Sequence, residues 1–464
     1  MIDLKNIGAV YLTGIGGIGM SALAKYFLEQ GQTVAGYDRT ETDLTVSLAS
    51  MGCAITYSDD PATIPDIFRD ISCRSRVLAI YTPAIPGNSN ILAFFRDNGH
   101  KLYKRSEILG EISSHTDTLA VAGTHGKTTV STMIAHILTQ SHIGCSAFLG
   151  GISKNYGSNY LSGRSRYTVM EADEFDRSFH RLSPLMAVVT SVDADHLDIY
   201  GSHEEMIVAY QEFCRKIRPG GRLLIHNDIR NKINVPDSVA GAFYGPGAGS
   251  DYRAAEIRYF GDYYVFNLET PEGRLDDIHF SFPGRINIEN ITAASAIALM
   301  CGVTGDELRT AIFGFKGVRR RFDIRVNKPG ITYIDDYAHH PEEIKACIKS
   351  VREYFGGRKI TGIFQPHLYS RTRDHAEGFA SILDLLDEII LLPIYPAREE
   401  PIPGVSSEMI FSRMKSENKT MLKLEDLPDA LDVEKLDVLV TIGAGSIDKL
   451  VIPIENKLKN LSGA

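Results

Sequence analysis

The run Gly123-Thr124-His125-Gly126-Lys127-Thr128-Thr129 joins glycines, a lysine and hydroxyls at a spacing suited to gripping phosphate. Freed backbone N–H groups and a helix dipole favour negative charge there. Lys127 adds a point charge for β and γ phosphates, and the Thr128 hydroxyl is placed to hold Mg²⁺. The chemistry implied is nucleoside triphosphate binding. The bland alternative is a glycine-rich turn with no ligand. A second run, Gly14-Ile15-Gly16-Gly17-Ile18-Gly19, is followed about 20 positions on by Asp38, the pattern of a diphosphate cradle. Alone it reads as a dinucleotide-dependent dehydrogenase. A sugar nucleotide carries the same diphosphate, and a triphosphate loop downstream makes a ligase the more economical reading.

Further polar clusters stand where strands should end. They are Glu171-Ala172-Asp173-Glu174, then Asp193-Ala194-Asp195-His196-Leu197-Asp198, then Asp335-Asp336-Tyr337-Ala338-His339-His340-Pro341, and Gln365-Pro366-His367-Leu368-Tyr369-Ser370-Arg371. In doubly wound sheets ligands sit outside the C-terminal ends of strands. His196 could instead be a capping or core histidine, and Arg319-Arg320-Arg321 a solvated basic turn. Asn287 and Asn290 precede an Ala-rich stretch read as a helix over 291–300, where one asparagine could be a cap.

The elements that must position these groups follow from periodicity. Apolar runs at 9–13, 118–122, 167–170, 185–191, 331–334, 359–364, 388–392 and 438–442 read as buried strands. Met20, Leu23, Phe27 and Leu28, and later Met133, Ile134, Ile137 and Leu138, fall at helical spacing. Repeated strand–helix alternation argues an α/β protein with parallel sheets. At 464 residues the chain exceeds the ~250–300 at which single cores stop growing, so two or three domains are expected. Net charge is −9 with no Lys/Arg-dense tract, which argues against nucleic acid or an anionic membrane as partner. No apolar run reaches the roughly 18 residues of a membrane span, and the first residues lack a signal-peptide pattern. Six scattered cysteines without a C-x-x-C pair suggest a reducing cytoplasm and no structural metal.

The generic phosphate-loop pattern wants glycine at position 121, which is Val121 here. The shortened form resembles that of the Mur ligases, which build the peptide of cell-wall precursors. GIGGIGMSALA, GTHGKTT, EADE, DADHLD, GVRRRFD, DDYAHHP, FQPHLYSRT and GAGS extend the resemblance over nearly the whole chain. Within the family they resemble the branch that adds L-alanine to UDP-N-acetylmuramate. The resemblance implies three domains: a Rossmann-like UDP-sugar domain (1–106), a central P-loop-type ATPase domain (107–313) and a C-terminal Rossmann-like amino-acid domain (314–464). It implies ATP-dependent amide formation through an acyl phosphate, in the cytoplasm, by a monomer or weak homodimer.

It also implies residue roles. Gly123 to Thr129 would hold ATP, with Asn287 and Asn290 at its adenosine end. Lys127, His196, Arg321, Asp335 and His339 would be catalytic. Arg321 would reach the γ-phosphate when the third domain closes. Thr128, Glu171 and His196 would hold two Mg²⁺ ions. Gly14, Gly16, Gly17, Ile18, Gly19, Asp38 and Thr82 would hold the UDP-sugar. His339, His367 and Arg371 would hold the amino acid. Ile286 replaces a family histidine and Leu368 a family arginine. Residues 208–212 lack the carbamylated lysine of later-acting members, which suits the alanine-adding branch. The rival within the family is the ligase that joins a ready-made tripeptide to the same sugar nucleotide.

Overall fold

The computed structural model describes residues 2–195, 197–397 and 399–460. Among these the strands form four sheets, and the architecture is the expected α/β one. Five parallel strands lie in the order Ala54–Thr56, Thr33–Tyr37, Ala9–Thr13, Val77–Tyr81, Leu102–Lys104. Ala9–Thr13 is buried along its length, as a strand covered on both faces must be. Its neighbours on the two sides come later in the chain, so the order reverses there. A crevice therefore opens at its C-terminal end, where the Gly14–Gly19 turn begins.

The second sheet repeats this logic. Seven strands run Ala240–Tyr244, Arg222–His226, Met186–Val189, Asp117–Ala122, Tyr167–Glu171, Ser146–Ser153, Ser158–Leu161, parallel except for the last hairpin. Asp117–Ala122 is the switch strand and delivers the Gly123–Thr129 loop. Its two neighbours end in the acidic Glu171–Glu174 segment and in Thr190–Asp193. Three separate stretches of sequence thus meet at one point. The third large sheet has six strands, Asp323–Lys328, Ile331–Asp336, Val438–Ile442, Ile360–Phe364, Glu388–Leu391, Lys419–Met421; only the first pair is antiparallel. A small sheet of Arg253–Tyr259, Tyr264–Thr270 and Gly273–Phe280 completes the set. These last strands were not read from the sequence.

Two of the boundary differences from the sequence expectation bear on candidate site residues. The helix placed at 291–300 spans Arg285–Met300. It starts straight after Gly284, whose φ of 92° ends the preceding turn. Asn290 therefore lies inside the helix and is not its cap. The strand placed at 331–334 spans Ile331–Asp336, so Asp335 and Asp336 are buried strand residues.

The chain divides into two compact units. One comprises Met1–Ile257, Phe266–His279 and Glu289–Phe315; the other comprises Arg258–Val265, Phe280–Ile288 and Lys316–Ala464. The first unit contains both the five- and the seven-stranded sheet over one continuous core, which includes Val10, Leu23, Phe27, Phe148, Met170 and Phe213. Lys25, on the helix Ile18–Glu29, is buried and donates to Ser158 Oγ (3.1 Å) and Asn159 Oδ1 (2.9 Å). Asn159 is fully buried and returns a bond to Ser21 Oγ at 2.9 Å. This polar clamp ties the first helix to the edge hairpin of the second sheet.

Candidate functional site

The Gly123–Thr129 loop is held rigidly by its neighbour. Thr124 N–H donates to the Ser191 carbonyl (3.2 Å), His125 N–H to Ser191 Oγ (2.9 Å), and Asp193 N–H to Thr124 Oγ1 (3.1 Å). Thr190 Oγ1 bonds the Ala122 and His125 carbonyls. Gly123 has φ 137°, and a Cβ there would lie 2.0 Å from Thr190 Oγ1, so no other residue fits. Gly126, at φ 83°, turns the chain into the helix Lys127–Gln140. Asn290 leans over this turn: a Cβ on Gly126 would be 3.0 Å from Asn290 Oδ1. Thr128 and Thr129 are buried in the first helical turn. The result is a rigid nest of amides at a helix N-terminus, the geometry of an anion site.

Lys127 Nζ pairs with Glu174 Oε1 at 2.8 Å and donates to the Gly123 carbonyl at 2.6 Å. Burial opposes the lysine's charge, but the nearby Glu174, Glu171 and Asp173 carboxylates outweigh it, so its pKa moves up. Burial pushes the Glu174 carboxyl up to about 7. Glu171 ends its strand and accepts the Gly150 N–H at 3.1 Å. A hydroxyl (Thr128) and a carboxylate (Glu171) are hard oxygen donors and fit Mg²⁺, which is commonly bound by one or two protein oxygens plus phosphate and water. His196 lies outside the described residues.

In the same unit the Gly14–Gly19 turn is secured from the next strand. Gly14 and Ile15 N–H donate to the Tyr37 carbonyl at 2.7 and 3.0 Å. Asp38 Oδ2 accepts the Gly16 N–H (2.8 Å) and Oδ1 that of Arg39 (2.8 Å). Both Asp38 oxygens thus bond backbone amides and shape the turn. Thr82 packs against Gly14 across the crevice, and Gly17 caps the helix that begins at Ile18. Arg105 lays its guanidinium on Gly19, Nη1 being 2.7 Å from where a Cβ would stand, and pairs with Asp173 at 3.2 Å.

In the second unit the basic turn is solvated only in part: Arg319 is exposed, while Arg320 and Arg321 are half-buried. Arg320 pairs with buried Asp335 at 3.0 Å and donates to the Gly443 carbonyl at 2.7 Å. Asp335 also accepts from Thr441 Oγ1 at 2.8 Å. Arg321 lies over the Tyr337 ring, 5.1 Å from its centre. His339 sits against Tyr337 and 5.8 Å from the His367 ring, which stacks on Tyr395. Arg371 Nη1 reaches His367 Nδ1 at 3.4 Å. His339, His367 and Arg371 are therefore brought together, at the ends of two strands that flank Val438–Ile442. His339 Nδ1 lies 3.0 Å from the Tyr337 carbonyl, and burial lowers its pKa. Asn287 donates to the Pro283 carbonyl.

Sequence reasoning missed Glu174 as the partner of Lys127, Thr190 and Ser191 as the staples of the loop, and Arg105 beside the glycine turn. No signal for these pairings exists along the chain, since each joins residues brought side by side only by sheet order.

Three family models match the chain: the Mur ligase family catalytic domain over residues 9–116, the Mur ligase middle domain over 121–298 and the Mur ligase glutamate ligase domain over 320–445. The UDP-N-acetylmuramate–L-alanine ligase of Parabacteroides distasonis is 48% identical over 458 residues, 98% of each chain. That of Porphyromonas gingivalis is 47% identical over 455 residues, covering 97% of this chain and 99% of that one. Among solved structures, the UDP-N-acetylmuramate–alanine ligase of Thermotoga maritima aligns with a TM-score of 0.83 at 26% identity, over 98% of this chain and all of that one.

Proposed function

The chain belongs to the Mur ligase family, and on that premise we propose that it joins L-alanine to the lactyl carboxylate of UDP-N-acetylmuramate with ATP, in peptidoglycan precursor synthesis. The carrying observation is that ligases named for joining L-alanine to UDP-N-acetylmuramate are 48% and 46% identical over 98% and 97% of this chain. The substrate carboxylate attacks the γ-phosphorus, ADP leaves, and an acyl phosphate forms. The alanine amine attacks its carbonyl carbon, and the tetrahedral intermediate expels inorganic phosphate to leave the amide.

Two anions must approach each other in the first step, so the site has to supply positive charge. Lys127 provides it at the Gly123–Thr129 loop. Mg²⁺, held through Thr128 and Glu171 with a second ion at His196, would neutralise phosphate charge and polarise the transferring group. Asn287 and Asn290 are assigned to the adenosine end and Arg321 to the γ-phosphate. The Gly14–Gly19 turn takes the diphosphate of the sugar nucleotide, with Gly16 and Gly17 against it, while Asp38 shapes the turn and Thr82 borders the same site. The Arg371 fork suits the alanine carboxylate, because two parallel hydrogen bonds set both charge and direction. His339 stays uncharged near neutrality, and its Nδ1–H faces the Tyr337 carbonyl, which leaves Nε2 to accept the amine proton. Asp335 acts by fixing Arg320 and the turn that carries Arg321. Among the described residues no helix is long and apolar enough to cross a membrane. A cytoplasmic location and a monomer or weak dimer belong to the same proposal.

The test is ADP release on mixing ATP, Mg²⁺ and UDP-N-acetylmuramate with single amino acids. L-alanine should give the highest kcat/KM, glycine and L-serine lower values, and the tripeptide none. A higher kcat/KM for the tripeptide would leave only the family assignment standing.

A further inference from the structure

Lys127 already has a full set of partners. Its ammonium has three protons and meets three acceptors: the Gly123 carbonyl (2.6 Å), the Thr124 carbonyl (3.3 Å) and Glu174 Oε1 (2.8 Å). The lysine is folded back onto its own loop. Glu174 is 1% exposed, and its second oxygen, Oε2, is buried with no hydrogen-bond partner among the described residues. Tyr200 fixes the Glu174 backbone, its hydroxyl donating to the carbonyl at 2.6 Å. A buried carboxylate left half satisfied is costly, and the lysine opposite is what makes it tolerable. Such an arrangement has little reason to exist for stability alone.

We propose that Glu174 is an internal stand-in for phosphate: it holds Lys127 against its own loop and yields the ammonium to a phosphate group of the nucleotide. The proposal rests on the assignment of ATP to the Gly123–Thr129 loop. The two groups are chemically alike, each an anionic oxygen acceptor for one ammonium. The phosphate brings more charge and also bonds the loop amides, so it wins the exchange. Nucleotide affinity is then lowered by the fraction of protein in which Glu174 keeps the lysine, as for any ligand that must displace a competing state. A residue that merely aimed Lys127 at the phosphate would have the opposite sign, since its loss would weaken binding.

Calorimetric titration of the full-length chain with the non-hydrolysable analogue AMP-PNP and Mg²⁺ tests this. Glu174→Gln keeps shape and removes the charge, and should tighten binding by roughly 10-fold. Glu174→Asp, which cannot span 2.8 Å from the same backbone, should shift in the same direction by less, and serves if the glutamine variant does not fold. Asp173→Asn removes a neighbouring charge that pairs with Arg105 and makes no bond to Lys127; it should change the affinity less than about 2-fold. Weaker or unchanged binding in the Glu174 variants overturns the proposal. So does equal tightening by Asp173→Asn, which would reveal general charge repulsion. If the unaltered chain fails to bind AMP-PNP, the assignment of the loop itself falls.

Discussion

Lys127 and Arg320 are both cations held by a buried carboxylate, so losing either strands a charge, and they differ in what else is lost. Lys127 faces a loop built for an anion, so Lys127→Ala should cut ligation by ~10²–10³ or more while UDP-N-acetylmuramate still binds. Arg320 is tied to Asp335 and to the Gly443 carbonyl. Arg320→Ala strands a buried carboxylate and should cost about 3 kcal/mol of stability, the lower end of the range because the arginine keeps some exposure. Steady-state assays and urea unfolding of both variants separate the two cases. Asp336 gives a pH test. Burial raises its carboxyl from 3.8 to about 6 in the folded chain, so the fold holds the proton more tightly than the unfolded chain does. That contribution favours folding below about pH 4 and is lost as pH climbs to 6. Asp336→Asn should therefore flatten the fall in stability between pH 4 and 6, read by urea unfolding at several pH values. At this scale the residue types legible in the sequence are those the structure gathers at the Gly123–Thr129 loop and around His339. Their sorting did not show: Arg320 and Arg321 are adjacent and equivalent on paper, and only the buried position of Asp335 claims one of them.

At the scale of elements, strand–loop–helix units were legible because apolar runs, glycine turns and helical spacing are local signals. The start of Arg285–Met300 was not, because asparagines suggested a cap where the helix was already running. The strands between 240 and 280 were missed as well: most of them are rich in polar residues and partly exposed, so they lack the long apolar run of a strand buried on both faces. Two predictions belong here. Gly123→Ala should abolish nucleotide binding in calorimetry without unfolding the sheet, since the added methyl meets Thr190 Oγ1 and disturbs only the loop. Removing bicarbonate should leave activity unchanged. The helix His203–Cys214 carries no lysine, and Gln211 there already bridges both backbone groups of Asn234, at 2.8 Å each. A bicarbonate-dependent rate would point to a carbamylated lysine elsewhere.

For the whole molecule, discrimination should follow the size of what is lost. Dropping the alanine methyl forfeits only ~1 kcal/mol or so of binding, so glycine should compete measurably. The dehydrogenase reading of the first glycine turn gives way to the family assignment, the chain being a Mur ligase throughout. The clamp between Lys25, Ser158 and Asn159 bears on how the protein comes apart. Lys25 gives up water for two side-chain oxygens, and Asn159 gives up water to reach back to Ser21, all over a shared apolar core. Neither partner tolerates separation, so the five- and seven-stranded sheets should melt as one calorimetric transition, with the six-stranded sheet free to melt at its own temperature. Lys25→Ala should split the first transition in two. A fragment ending near residue 106 should be insoluble when expressed alone, because it would expose the core face of Ile18–Glu29 that the second sheet normally covers.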